Sequence, residues 1–311
     1  MITDRIDGVT GIPPEYRKAS IPAPKSVKIE LTSKCPYRCS FCANKDITDK
    51  GEMTWETYTA VVDECLTVGI EEIGVFLIGE SFMCDWLPEA IKYAKDAGCK
   101  YVFLTSNGYL CTSDRVQACM DAGLDSLKFS FNYSTPEQLK EIAKVKKSAF
   151  EKVIQNIIAA RGIRDEGNYP CRLYASSIKF EGEQMERMAP VLERISPYLD
   201  ETYFLPLFSF SDQKVVETEG ALGFKPVAGN PGRAGNMRDP LPCWSVSREM
   251  HIDRHGNLNA CCFGGDDFIM GNFKDGIMNV WNNEKFQNLR LAHLAKDVSG
   301  TPCAKCAVGG Y

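Results

Sequence analysis

The sequence predicts an α/β protein built on parallel strands, and two observations carry that expectation. Short β-branched or aromatic runs alternate with longer amphipathic stretches from residue 27 onward, and a cysteine-rich segment stands at each end of that alternation. The strand-like runs are 27–31, 73–78, 101–105, 126–131, 171–178 and 201–208, and all but the last are followed by a segment with helical periodicity. A helical crossover between neighbouring strands makes them parallel. Six such strands form either an open doubly wound sheet or a partial barrel, and periodicity alone does not choose.

Local signals support the individual elements. Thr54 before Trp55-Glu56-Thr57 reads as a helix N-cap, and Gly69 and Gly98 fall where helices should stop. Residues 209–242 are rich in Gly, Pro and polar side chains without a sustained period, so they read as a connecting segment. Beyond it, 249–253 and 258–262 read as a hairpin joined across 254–257, followed by a helix over 280–296. The expected organisation is an N-terminal extension over 1–26, a strand–helix unit over 27–208, the connection 209–242 and a cysteine-bearing unit over 243–311.

Composition narrows the function. The 36 basic and 41 acidic residues are scattered and leave a net charge of −5, which gives no electrostatic footprint for nucleic acid or an anionic membrane. The first residues lack the basic and apolar regions of an export signal, and no apolar run is long enough to span a bilayer, so a cytoplasmic protein is expected. In that reducing compartment 14 cysteines point to metal binding rather than disulfides. The three histidines, His251, His255 and His293, all lie in the C-terminal third, which argues against a histidine-led hydrolase. His255 in the hairpin turn and His293 on the last helix are expected at the surface without a catalytic role.

Directly after the first strand comes Cys35-Pro-Tyr-Arg-Cys39-Ser-Phe-Cys42, a loop short enough for three thiols to face one point. Soft sulfur donors favour an iron–sulfur cluster or zinc, and a [4Fe–4S] cube held by three cysteines keeps one iron open. Structural zinc wants four protein ligands, and no fourth lies nearby in sequence. The motif resembles the radical S-adenosylmethionine (SAM) superfamily, with Cys-x3-Cys-x-aromatic-Cys at the end of the first strand and Phe41 at the aromatic position. The resemblance implies a partial (β/α)6 TIM-like barrel. It also implies that the open iron of a [4Fe–4S] cluster on Cys35, Cys39 and Cys42 chelates SAM, which is cleaved to methionine and a 5′-deoxyadenosyl radical.

Further marks of the family follow at later strand ends. Gly79-Glu80 resembles the Gly-Gly-Glu motif that binds the SAM amino group, with Ile78 in place of the first glycine. Ser130 stands where the family often contacts the ribose. Thr105-Ser106-Asn107-Gly108 resembles the strand-end Thr-Asn-Gly element of these barrels and reads equally well as a simple turn. Ser176 and Ser177 are either SAM contacts or ordinary strand residues.

The C-terminal unit carries Cys243, Cys261, Cys262, Cys303 and Cys306. The order Cys243, hairpin with Gly256 and Cys261, helix, Cys303-Ala-Lys-Cys306 resembles the twitch domain, the shortened form of the SPASM extension, with Gly271-Asn272, Trp281-Asn282 and the turn Arg233-Ala-Gly235-Asn236 as further marks. That resemblance implies an auxiliary [4Fe–4S] cluster on Cys243, Cys261, Cys303 and Cys306, fully ligated and suited to electron transfer; a structural zinc site is the alternative. Cys262, spare under this assignment, reads as a hydrogen-atom donor, as in radical SAM epimerases, or as a small buried hydrophobe or alternative ligand. Cys65, Cys84, Cys99, Cys111, Cys119 and Cys171 read as core, with Cys84 nearest the expected site.

The reading implied is hydrogen abstraction from a small polar substrate, followed by oxidation or epimerisation. Electrons would come from a donor such as flavodoxin or ferredoxin. Twitch enzymes similar to this chain, such as 2-deoxy-scyllo-inosamine dehydrogenase and neomycin C epimerase, act on carbohydrates or aminocyclitols. Modification of a peptide or protein is the second reading, disfavoured because 26 residues before the first strand are few for a leader-binding domain. A non-enzymatic iron–sulfur carrier or scaffold is the third, and it leaves the open three-cysteine motif unexplained.

Overall fold

A computed structural model describes residues 1–179, 182–208, 227, 229–262 and 265–307; most of the expected connecting segment lies outside them. Strands β1 (Ser26–Ile29), β2 (Glu72–Gly74), β3 (Tyr101–Ser106), β4 (Ser126–Ser130), β5 (Arg172–Ile178) and β6 (Glu201–Leu205) lie side by side in chain order, all parallel. A doubly wound sheet reverses its strand order at a switch point, so this uninterrupted order is that of a partial (β/α)6 barrel. Among the described residues the helices of the barrel part are α1 (Ile2–Thr10), α2 (Trp55–Thr67), α3 (Leu87–Asp96), α4 (Ser113–Asp121), α5 (Pro136–Ala143), α6 (Ala149–Glu166) and α7 (Glu183–Ile195), and further helices follow in the C-terminal unit.

Capping chemistry sets the helix ends as expected. Thr54 Oγ1 accepts from the Thr57 N–H at 3.2 Å, and Gly69 and Gly98 follow α2 and α3 at positive φ, a conformation costly for other residues. Along the strands, Val27, Ile29, Val102, Leu104, Leu127, Phe129 and Leu173 are fully buried in the core. The alternate positions carry Lys28, Phe103, Thr105, Lys128, Ser130, Tyr174 and Ser176 and line the barrel interior.

Several expected boundaries shift. The run 73–78 is strand only to Gly74, because the chain then leaves β3 and the Glu80 N–H donates instead to the Lys34 carbonyl of the cysteine loop at 2.8 Å. The run 201–208 ends at Leu205, where Pro206 offers no N–H to continue the ladder. Helix 280–296 is two helices, Ile277–Trp281 and Glu284–Leu294, separated where Asn283 caps the second by accepting from the Phe286 N–H at 3.0 Å.

The expected hairpin is a three-stranded unit, β7 (Glu249–Ile252), β8 (Asn257–Asn259) and β9 (Ile269–Asn272). Strand β7 pairs in parallel with β1, so the unit continues the barrel sheet. Strand β8 stops before Cys261, which places both Cys261 and Cys262 beyond regular strand alternation.

The first 26 residues, opaque in sequence, hold both ends of the molecule. Helix α1 lies across the N-terminal ends of the strands: Arg5 Nε donates to Glu72 at 2.8 Å with its guanidinium 4.1 Å from the Phe103 ring, and Glu201 accepts from the Ile2 N–H at 2.7 Å. The chain then binds the C-terminal unit, where Trp281 Nε1 donates to Pro22 at 3.1 Å and Asn282 exchanges two hydrogen bonds with Ile21. Among the described residues no helix is long and apolar enough to cross a membrane.

Candidate active site

The cysteine loop leaves β1 and is pinned by its backbone to the end of α5. The Arg38 N–H donates to Ala143 at 2.9 Å and the Ser40 N–H to Ile142 at 3.0 Å. Cys35, Cys39 and Cys42 lie within electrostatic reach of one another, each half-buried, and burial pushes the Cys35 thiol up to about 12 and the Cys39 thiol higher still. Cys39 Sγ is 3.3 Å from Tyr133 Oη, the Asn44 N–H donates to Cys42 Sγ at 3.4 Å, and Asn107 Nδ2 is 3.8 Å from Cys35 Sγ. Each sulfur thus has a polar neighbour suited to a thiolate ligand.

Glu80 stands beside this loop, 2 % exposed. Its carboxylate accepts from Ser106 Oγ at 2.8 Å and from the Asn107 N–H at 2.8 Å. The Thr105-Ser106-Asn107-Gly108 element is therefore more than a turn: it ties Glu80 and Cys35 to the end of β3. Burial raises the Glu80 pKa against these hydrogen bonds, and its oxygens keep lone pairs for an ammonium. Gly79 explains why this approach is possible, since a Cβ there would lie 1.9 Å from the Thr32 carbonyl oxygen. Only glycine lets the two backbones come this close.

Phe41, Ser130 and Cys262 all line one cavity of about 380 Å³ inside the barrel, together with Thr105, Ser176, Tyr203 and Trp244. Ser177 instead hydrogen-bonds the Phe131 carbonyl away from this space. The lower part of the cavity carries charges that sequence reading did not single out: Lys28 paired with Glu249 at 2.6 Å, Arg5, and Lys128. Desolvation opposes the charge on Glu249, but Lys28 and His251 hold its carboxyl well below the usual range. A strand covered on both faces by core reads as continuously apolar, so the polar alternation Ser126-Lys128-Ser130 was the available signal for this cavity.

Cys243, Cys261, Cys303 and Cys306 line a second, smaller cavity in the C-terminal unit with Phe268 and His293. Burial comes first in raising the Cys243 thiol, and each of the other three adds to it, so the four face one another. His293 is 1 % exposed, contrary to its expected surface position: its helix packs this face on the segment around Cys243. Its Nδ1 accepts from the Cys243 N–H at 3.0 Å, which leaves the proton of the neutral ring on Nε2. Among the described residues that Nε2 is buried without a hydrogen-bond partner. His255, by contrast, is exposed as expected.

Cys262 touches the Cys261 thiol and both line a third pocket beside Asp253 and Arg254, but only Cys262 reaches the barrel cavity and only Cys261 the small cavity of the C-terminal unit. Cys65, Cys84, Cys99, Cys111, Cys119 and Cys171 are all buried in the core. Among the described residues no three His, Cys, Asp or Glu side chains converge as a single metal ion requires. A cubane sets its sulfur ligands on separate irons, and both cysteine groups are all-sulfur donor sets of the kind it takes.

A partial barrel with thiols at the end of its first strand, extended by a sheet unit with four more, defines a class of iron–sulfur enzyme. The Radical SAM superfamily model matches residues 29–195, and this chain belongs to that superfamily. The SPASM iron–sulfur cluster-binding domain model matches residues 243–307. The family brings a [4Fe–4S] cluster and SAM, and the second domain an auxiliary iron–sulfur cluster.

The chain is 32% identical over 110 residues to PqqA peptide cyclase of Bradyrhizobium diazoefficiens, a match spanning 35% of this chain and 28% of the relative. Among solved structures it resembles BtrN in complex with AdoMet and 2-DOIA, at TM-score 0.55 and 17% identity over 90% of this chain and 91% of that one. It also resembles Streptococcus suis SuiB bound to precursor peptide SuiA, at TM-score 0.62 and 12% identity over 86% and 67%. At these identities the structural likenesses speak for the fold.

Proposed function

We propose that this radical SAM enzyme acts on a small polar substrate inside the barrel and epimerises it, with Cys262 as the hydrogen-atom donor. The observation that supports this reading is the position of Cys262, on the wall of the cavity that Phe41 and Ser130 also line. Cys35, Cys39 and Cys42 would hold the SAM-binding cluster, and Glu80 and Ser130 would orient the SAM ammonium and ribose. When bound, the reduced cluster and SAM supply a 5′-deoxyadenosyl radical that takes a hydrogen atom from the substrate.

The residues of the chain then decide the outcome. Gly79 and the Ser106–Asn107 hydrogen bonds fix Glu80, while α1 lines the floor of the barrel with Ile2, Ile6 and Val9. The Cys262 S–H bond breaks to form a C–H bond on the substrate, leaving a thiyl that one electron from a flavodoxin- or ferredoxin-type donor and one proton restore. Cys243, Cys261, Cys303 and Cys306 would hold the auxiliary cluster, with the His293 Nε2–H as donor to one of its sulfurs.

Turnover in deuterium oxide tests the assignment. Wild type should place one solvent deuterium on the product carbon, and Cys262→Ala should still form 5′-deoxyadenosine without deuterated epimer. Unaltered turnover by Cys262→Ala would sink the donor role and favour oxidation. The relationship to PqqA peptide cyclase and the SuiB fold support a second reading, a peptide substrate, which a product screen against short peptides would decide.

A further inference from the structure

Lys128 is the charge in the barrel cavity whose partner is missing from the chain. It extends from the middle of β4, two residues before Ser130 on the same face, and so lies about 7 Å deeper along the strand. The other basic groups on that wall are matched: Arg5 by Glu72 at 2.8 Å and Lys28 by Glu249 at 2.6 Å. Among the described residues the Lys128 ammonium makes no hydrogen bond or ion pair: the Tyr203 ring is 5.9 Å away, and Glu249, already paired with Lys28, acts on it only at longer range. An enclosed ammonium without a carboxylate or a carbonyl is unfavourable in a folded chain, and binding sites are where such groups occur.

We infer that the substrate carries a carboxylate and that Lys128 is the residue that pairs with it. The inference rests on the reading that the barrel cavity holds the substrate, and it adds the substrate's charge. Three further observations favour it. The wall charges Arg5, Lys28 and Lys128 face Glu249 and the outlying Glu72, which leaves one positive charge over. Beside it the wall is aromatic, with Phe103 and Tyr203, and the other two basic groups on it are already paired, which leaves a single free cation among the described residues and suits a monoanion better than a phosphate. Desolvation and then the Lys28 charge hold the Lys128 pKa down to about 8, a shift that a bound carboxylate would reverse.

A charge series on anaerobically reconstituted, SAM-loaded protein tests this without needing turnover. The probes are 3-phenylpropionate, 3-phenylpropan-1-ol and 2-phenylethyl phosphate, titrated calorimetrically. Wild type should bind the acid at least about tenfold more tightly than the alcohol, the contribution of one charge-assisted bond, and more tightly than the phosphate. Lys128→Met should reduce that preference to within about twofold, and Lys128→Arg should retain most of it. Equal binding of acid and alcohol, a preference for the phosphate, or an undiminished preference in Lys128→Met would overturn the inference. So would a loss of SAM affinity in Lys128→Met as large as its loss for phenylpropionate, since the partner would then be SAM itself. The wild-type series is readable even if Lys128→Met fails to fold. Failure to form 5′-deoxyadenosine would instead sink the proposed function and leave these titrations standing.

Discussion

The two cysteine groups differ in how the chain builds them. Cys35, Cys39 and Cys42 come from one loop between β1 and α2, pinned by backbone hydrogen bonds to α5, and the loop's Phe41 faces a cavity of about 380 Å³. Cys243, Cys261, Cys303 and Cys306 come from separate stretches of the last third and close on a small space shared with Phe268 and His293. A continuous loop supplies three donors and leaves a side toward the cavity, whereas donors gathered from distant stretches can surround their space. On the proposed reading the contrast separates a site for chemistry from a site for electrons.

The largest effect that sharpens this contrast comes from removing one thiol on each side. Cys39→Ala should lower 5′-deoxyadenosine formation by on the order of 10⁴-fold, the scale of losing an indispensable catalytic group. Cys303→Ala should lose product while still cleaving SAM, as measured by chromatography of both compounds. Equal losses of 5′-deoxyadenosine would erase the distinction.

A smaller effect is expected at Glu80. Glu80→Gln keeps an acceptor for either Ser106 or the Asn107 N–H but not both, and removes the charge proposed to face the SAM ammonium. The SAM Kd should rise by about 10- to 100-fold, the range for one charged hydrogen bond. A Kd within twofold of wild type, by equilibrium binding, would reduce Glu80 to a strut for β3.

The smallest effect is at the second group. His293→Phe deletes the Nε2–H, so the reduced state at the auxiliary site loses a hydrogen bond and its potential should fall by about 20–60 mV, as read by a redox titration. An unchanged potential would mean that the ring only receives the Cys243 N–H.

Much of this architecture is legible in the sequence because local rules write it. Parallel strands separated by helices are periodic, Thr54 and Gly69 mark a helix by caps, and thiols in a motif announce soft ligands. Other parts depend on partners far along the chain. Helix α1 makes sense only once Glu72 and Glu201 are known to meet it, and β9 is short and flanked by segments without a period. His293 has no local signature: only the folded chain brings it to the Cys243 N–H. Lys128 was visible as polar alternation within β4, but that pattern gains meaning only when the strand is known to face a cavity.

Electron paramagnetic resonance on reduced variants carrying one cysteine group each tests the central claim most directly. With Cys243, Cys261, Cys303 and Cys306 replaced by alanine, the remaining [4Fe–4S] signal should change on addition of SAM, because three thiols leave an iron open. With Cys35, Cys39 and Cys42 replaced instead, SAM should leave the signal as it was. A signal indifferent to SAM in the first protein, or responsive in the second, would contradict the account.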